Sequence, residues 1–199
     1  MNTTEYDKLR LTLKSQLIGM ATLDSRYNTC IEAFAFAEGV HNGFRKDGTT
    51  REFYHQLSIL GYLMTLHHSL DEPHLVYQVA LLHDAYEDYM NFSADLQSKF
   101  PEAFPYIQRI SKVDTEGPIN IVAYYHNMST CSVTSIVKAV DRIHNLSTMT
   151  GIFSEDKISR YKEEVDTYFL PMIKRARRMF PSQTAAYENL KCVLNLLRY

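Results

Sequence analysis

Apolar residues recur every three to four positions along most of this chain, a period that predicts helices rather than strands. Ile31, Phe34 and Ala35 carry one such stripe in a segment expected to be helical over Asn28–Val40, after a short helix over Tyr6–Leu17. Further helices are expected over His55–Leu70, Pro73–Tyr89, Pro101–Val113, Ile121–Asn127, Ser132–Thr150, Ser154–Met179 and Ser182–Leu197. A small one is expected near Ser93–Phe100, with Ser93 as its N-cap. The charged, glycine-bearing stretch from His41 to Phe53 reads as a loop, and Asp114–Asn120 as a turn. No repeat, low-complexity segment or linker is visible, so the expected architecture is one all-α domain over residues 1–199.

Composition narrows this only a little. A chain of 199 residues suits one well-packed domain. With 45% hydrophobic residues it is far from disorder, and 7 Gly with 6 Pro disfavour a turn-rich all-β fold. Cys30, Cys131 and Cys192 form no CxxC pair, so neither a zinc knuckle nor a disulfide framework is expected; reduced thiols in a cytoplasmic compartment fit best. No apolar leader or bilayer-spanning run is present, and a net charge of −2 argues against a nucleic-acid-coating protein. Neither a membrane nor DNA is an expected partner.

Where polar residues interrupt the apolar pattern, chemistry enters. His83 and Asp84 break an otherwise buried-looking helix containing Val76, Val79, Ala80 and Leu82, and Glu87 and Asp88 follow one turn later. Burying such groups is costly unless something satisfies them. Asp141 borders a stripe of Val133, Ile136, Val137 and Val140, and His55 lies upstream. A salt bridge, for instance to Arg142, would account for Asp141 alone. His55, His83, Asp84 and Asp141 together form a set of nitrogen and oxygen donors suited to one divalent ion, with Mn²⁺ the best match for mixed donors in octahedral geometry. Such an ion lowers the pKa of bound water. Glu87 and Asp88 share a helix side with His83 and Asp84, where a carboxylate can orient water and accept its proton.

Arg45 and Lys46 are candidate phosphate contacts, and Arg45 is alternatively placed to stack on a purine. Lys138 and Arg142 flank Asp141 as candidate neutralising cations, while Asn145 and Thr148 follow on its helix as hydrogen-bonding candidates. Tyr168 is a candidate wall of a nucleoside pocket, against a competing role in the core. His67, His68 and His74 read as surface or helix-end residues, His41 as a hydrogen-bonding brace for its loop, and His144 as structural. The basic run from Lys174 to Arg178 suits the C-terminal end of a helix dipole as a solvated face.

In order along the chain, His41-Asn42-Gly43-Phe44-Arg45-Lys46, His83-Asp84-Ala85-Tyr86-Glu87-Asp88 and Asp141-Arg142-Ile143-His144-Asn145 resemble the HxGxxRK, HDxxED and DRxHN motifs of the hydrolase domain of the RelA/SpoT homologue family. Ile110-Ser111-Lys112 resembles that family's VTK segment, and Tyr168 falls at the tyrosine of its ETLxxYAP helix. The resemblance spans about residues 30–172. It implies an HD-domain helical bundle of nine or ten helices and removal of the 3′-pyrophosphate from (p)ppGpp-like nucleotides, in the manner of stand-alone small alarmone hydrolases. Departures are an extra residue between Lys46 and His55, Gln56 in place of proline, Tyr89 and Met90 in place of threonine, and Leu146-Ser147-Thr148-Met149 in place of Met-Arg-Thr-Leu. The metal set is intact, so substrate identity is affected more than activity. The implied partner is a purine nucleotide. The alternatives are an HD nucleotidase acting on another nucleotide or a pyrophosphorylated RNA end, a toxin–antitoxin role, and a catalytically silent nucleotide-binding HD module.

Overall fold

The computed structural model describes residues 3–112 and 119–199, and among these the fold is all-α, as the apolar period predicts. The end of the expected 101–113 helix at Val113 and most of the expected 114–120 turn lie outside the described residues. Two compact units are present, one comprising the chain up to Thr65 with Glu72–Ser111, the other Leu66–Asp71 with Lys112–Tyr199.

The first unit contains α1 (Thr3–Leu23), α2 (Asn28–Val40), α3 (Tyr54–Thr65), α4 (Pro73–Asp88), α5 (Ser93–Lys99) and α6 (Phe104–Ile110). Helix α4 is its centre and packs against α2, α3 and α6. Every residue from His74 to His83 is buried, so the polar members of that run sit in the core. Pro73 starts α4 at a position where its missing N–H costs nothing. His74, expected at the surface, is 5% exposed, with its ring edge-on to Tyr27 and its carbonyl accepting from the Cys30 thiol at 3.1 Å. Burial pushes that thiol up to about 12, which makes it inert rather than reactive.

Helix α3 is shorter than the apolar pattern predicts. Thr65 donates its hydroxyl to the Tyr62 carbonyl at 2.6 Å, local bonding that competes with helix continuation. The chain then tightens into a 3₁₀ turn over His67–Ser69. Ser93 is the first residue of α5 rather than its cap, because the 3₁₀ turn Met90–Phe92 runs directly into the helix.

The second unit contains α7 (Ile121–Ser129), α8 (Ser132–Thr148), α9 (Glu155–Glu164), α10 (Leu170–Met179) and α11 (Thr184–Leu197). Helix α8 is its centre, packed on α7, α10 and α11 and buried at every position from Val133 to His144. Its buried hydroxyls are satisfied: Ser135 lies 2.9 Å from the Tyr187 hydroxyl and also donates to the Cys131 carbonyl. Helices α9 and α10 follow the single expected helix, but a π turn over Val165–Phe169 joins them, with the Leu170 amide donating five residues back to Val165. No helix among the described residues is long and apolar enough to cross a membrane.

Candidate metal centre

His55 lies one residue into α3, and His83 and Asp84 in the last turns of α4. Packing of α3 on α4 brings them together. One ligand atom from each lies within 4.8 Å of the others, a spacing that fits a shared ion. The Nε2 of His83 is 3.1 Å from one Asp84 oxygen, and the Nε2 of His55 is 3.4 Å from the other.

The backbone chooses the tautomer of His83. Its Nδ1 lies 2.9 Å from the Ala80 carbonyl, which can only accept, so Nδ1 carries a proton. In the neutral ring the Nε2 lone pair then faces the carboxylate of Asp84, an arrangement of two acceptors that a cation resolves. The residues therefore fit a divalent metal. The Gln56 amide donates to the same Asp84 oxygen that faces His55, at 3.2 Å, and orients that carboxylate. Gln56 stands where the resembled motif has proline, a departure that gave no hint of this bond to Asp84.

Glu87 and Asp88 reach solvent at the end of α4. Partial desolvation, then Asp84, Glu87 and Glu52, push the Asp88 carboxyl up to about 6. Its folded pKa thus exceeds its ordinary value of 3.8, so ionised Asp88 costs stability above pH 6, and the cost fades as pH falls toward 4. In protein stripped of divalent ions, Asp88→Asn is expected to raise stability at pH 7 by about 1 kcal/mol, allowing for solvent screening of a half-exposed group. Denaturant melts at pH 7 and pH 4 check this: a gain of equal size at both pH values would contradict the stated cause.

The loop after α2 is built as a short antiparallel turn. Phe44 and Arg51 form an isolated bridge, the Arg45 amide donates to Thr50, and the Glu52 amide donates to Gly43. Asp47 accepts from the amides of Thr49 and Thr50, and Gly48 takes the positive φ of 68° that the turn requires. Arg45 and Lys46 thus sit on a defined turn, Lys46 exposed and Arg45 half-buried. His41 does not brace this loop by side-chain hydrogen bonds as expected. Its ring is 2% exposed, neither ring nitrogen has a hydrogen-bond partner, and the nearest carboxylate oxygen, on Glu52, is 3.7 Å away. Burial holds its pKa below the usual histidine value, against the opposing pull of Asp84 and Glu52.

The remaining candidates lie in the second unit. Asp141 is 8% exposed and pairs with Lys138 at 3.2 Å, not with Arg142, while Asn145 donates to its other oxygen at 2.6 Å. Arg142 is buried; it is ion-paired with Glu164 and lies over the rings of Tyr161 at 4.0 Å and Phe169 at 4.7 Å. Its guanidinium is thereby committed to the fold more than to solvent. The Thr148 hydroxyl donates to the His144 carbonyl. Tyr168 stacks flat on Tyr125, with centroids 5.0 Å apart and planes 5° apart. The two rings line a groove of about 600 Å³ between α7 and α10, with Lys174, Arg175 and Arg178 also on its walls.

No known family profile matches the chain. Over 153 residues it is 26% identical to the proteins named GTP pyrophosphokinase rsh of Brucella ovis, Brucella abortus and Brucella suis, an alignment covering 72% of this chain. That similarity supports a relation to the Rsh proteins, and this chain spans about 20% of the length of each of those relatives.

Proposed function

We propose that the chain is a metal-dependent pyrophosphohydrolase that releases pyrophosphate from the 3′ position of a (p)ppGpp-like purine nucleotide. The observation that carries this is the convergence of His55, His83 and Asp84, with the His83 lone pair aimed at a carboxylate. These three residues and Asp141 would hold one divalent ion, for which Mn²⁺ suits the two imidazoles and two carboxylates. When bound, the ion supplies charge neutralisation and an acidified water. Glu87 and Asp88 orient that water and accept its proton, a role open to carboxylates that reach solvent one turn after His83 and Asp84.

The water oxygen bonds to the phosphorus carried on O3′, the P–O3′ bond breaks, and O3′ takes up a proton as intact pyrophosphate leaves. Arg45 and Lys46 meet the phosphates, with Lys138 adding positive charge beside Asp141. Asn145 and Thr148 offer hydrogen bonds to the sugar or phosphates, and Tyr168 offers a ring to the base. Arg142 supports the site through its pairing with Glu164.

Chromatography of products from ppGpp, ppApp and ordinary nucleotides incubated with Mn²⁺ tests this. Pyrophosphate with intact 5′ phosphates is the expected result. Orthophosphate or 5′ cleavage would assign the chain to general HD nucleotidases, and pyrophosphate transfer onto GTP would assign it the reaction that its relatives are named for. Arg45→Ala is expected to raise KM roughly tenfold with little change in kcat, the signature of a contact made equally in the ground and transition states. A selective loss of kcat would place Arg45 at the reacting phosphorus instead.

A further inference from the structure

Tyr89 departs from the resembled motif directly after His83–Asp88, and Glu52 lies in the lengthened stretch before His55. The fold joins them. The Tyr89 hydroxyl lies 3.0 and 2.9 Å from the two carboxylate oxygens of Glu52, and the His41 ring meets the Tyr89 ring edge-on at 5.4 Å. Glu52 is also fixed through its backbone. Its amide donates to Gly43, and its carbonyl accepts from the amide of His55 at the start of α3. Gly43 leaves room for the carboxylate: a Cβ at that position would stand 3.1 Å from the Glu52 Oε2. One side chain therefore touches the end of α4, the base of the Arg45–Lys46 turn and the edge of a buried imidazole.

We propose that the Tyr89–Glu52 pair is a latch that pins the phosphate-contacting turn to the catalytic end of α4, so that Tyr89 and Glu52 are positioning residues for the nucleotide. The functional half of this rests on the reaction proposed above; the mechanical half does not. A hydrogen bond to a carboxylate is stronger than a neutral one, and it spans two segments 37 residues apart in the chain. Without it the turn loses this side-chain tie to the end of α4, and its approach to that helix is held less firmly.

The test has two independent readouts. In Tyr89→Phe, which deletes one oxygen and leaves the ring against His41, amide exchange at Arg45 and Glu52 is expected to accelerate roughly tenfold while that of α4 stays unchanged. With ppGpp as substrate, KM is expected to rise roughly fivefold with kcat within about twofold, since only substrate placement is loosened. Glu52→Ala should match Tyr89→Phe, and the double variant should be no worse than either alone. Glu52→Gln retains an acceptor oxygen for the phenol and should recover most of the lost affinity. Unchanged exchange in Tyr89→Phe, or additive effects in the double variant, overturns the latch. Faster exchange with unaltered KM overturns its bearing on substrate. A wild-type protein that turns over no 3′-pyrophosphorylated nucleotide would count against the proposed reaction and leave exchange to judge the latch.

Discussion

Asp84→Ala is expected to abolish both metal uptake and turnover, the largest effect of any single substitution here. The side chain supplies the only negative charge in the His55–His83–Asp84 cluster, and its two oxygens face the two imidazoles separately. Removing it takes away the one group that faces both imidazoles and leaves them with only the proposed Asp141 carboxylate, a poor site for a doubly charged ion. The His83 ring keeps its bond to the Ala80 carbonyl, so the helix is expected to persist. Elemental analysis after equilibration with Mn²⁺ should find about one ion per wild-type chain and none in the variant, with both retaining the same far-ultraviolet dichroism. Wild-type protein that takes up no Mn²⁺ would sink the metal assignment.

Replacing Glu87 and Asp88 together with Gln and Asn separates chemistry from binding. Both residues reach solvent at the end of α4 and lie outside the His55–His83–Asp84 cluster. Metal content should therefore stay at the wild-type level while kcat falls by roughly 10²–10⁴-fold, the usual worth of a general base. If Asp88 is the base, Asp88→Asn alone should remove the acidic limb of the wild-type pH–rate profile. The single Glu87→Gln variant should keep that limb, shifted slightly down by loss of a neighbouring negative charge. Undiminished turnover in the double variant would mean that another group takes the proton.

The helical skeleton was legible in the sequence because its signal is local. The apolar stripe of α8 and the Pro73 start of α4 needed no tertiary information, and the expected and observed limits there differ by two residues or fewer. The ends decided by local hydrogen bonding were not legible, as at Thr65 and at the π turn after Glu164. Within the candidate site, His55, His83 and Asp84 stood out because imidazoles and a carboxylate on apolar helices demand an explanation. The partners of Asp141 and Arg142 were less accessible. Asp141 found a cation three residues back rather than one ahead, since neighbouring residues on a helix point apart while i and i+3 lie together. Gln56 and Tyr89 stood out only as departures from the resembled motifs and Glu52 not at all, so none of their roles was legible. Each gains its role only from a residue at least 28 positions away. His74 misled because a histidine beside a helix-starting proline looks exposed, while the neighbouring Tyr27 and Cys30 bury it.

The turn at Val165–Phe169 sets the angular phase of everything after it. An α-helix advances about 100° per residue, so a π turn, which carries one residue more than the helix needs, rotates the following face by about that amount. Lys174, Arg175 and Arg178 share a wall with Tyr168 under that offset. Deleting a single residue from the turn would let α9 run smoothly into α10 with its hydrogen-bond ladder complete, yet it would swing these cations toward a different azimuth and carry Ile173 and Ala176 out of the core. The irregularity thus works as a one-residue dial, in which the composition of α10 is unchanged and only the direction it faces is set.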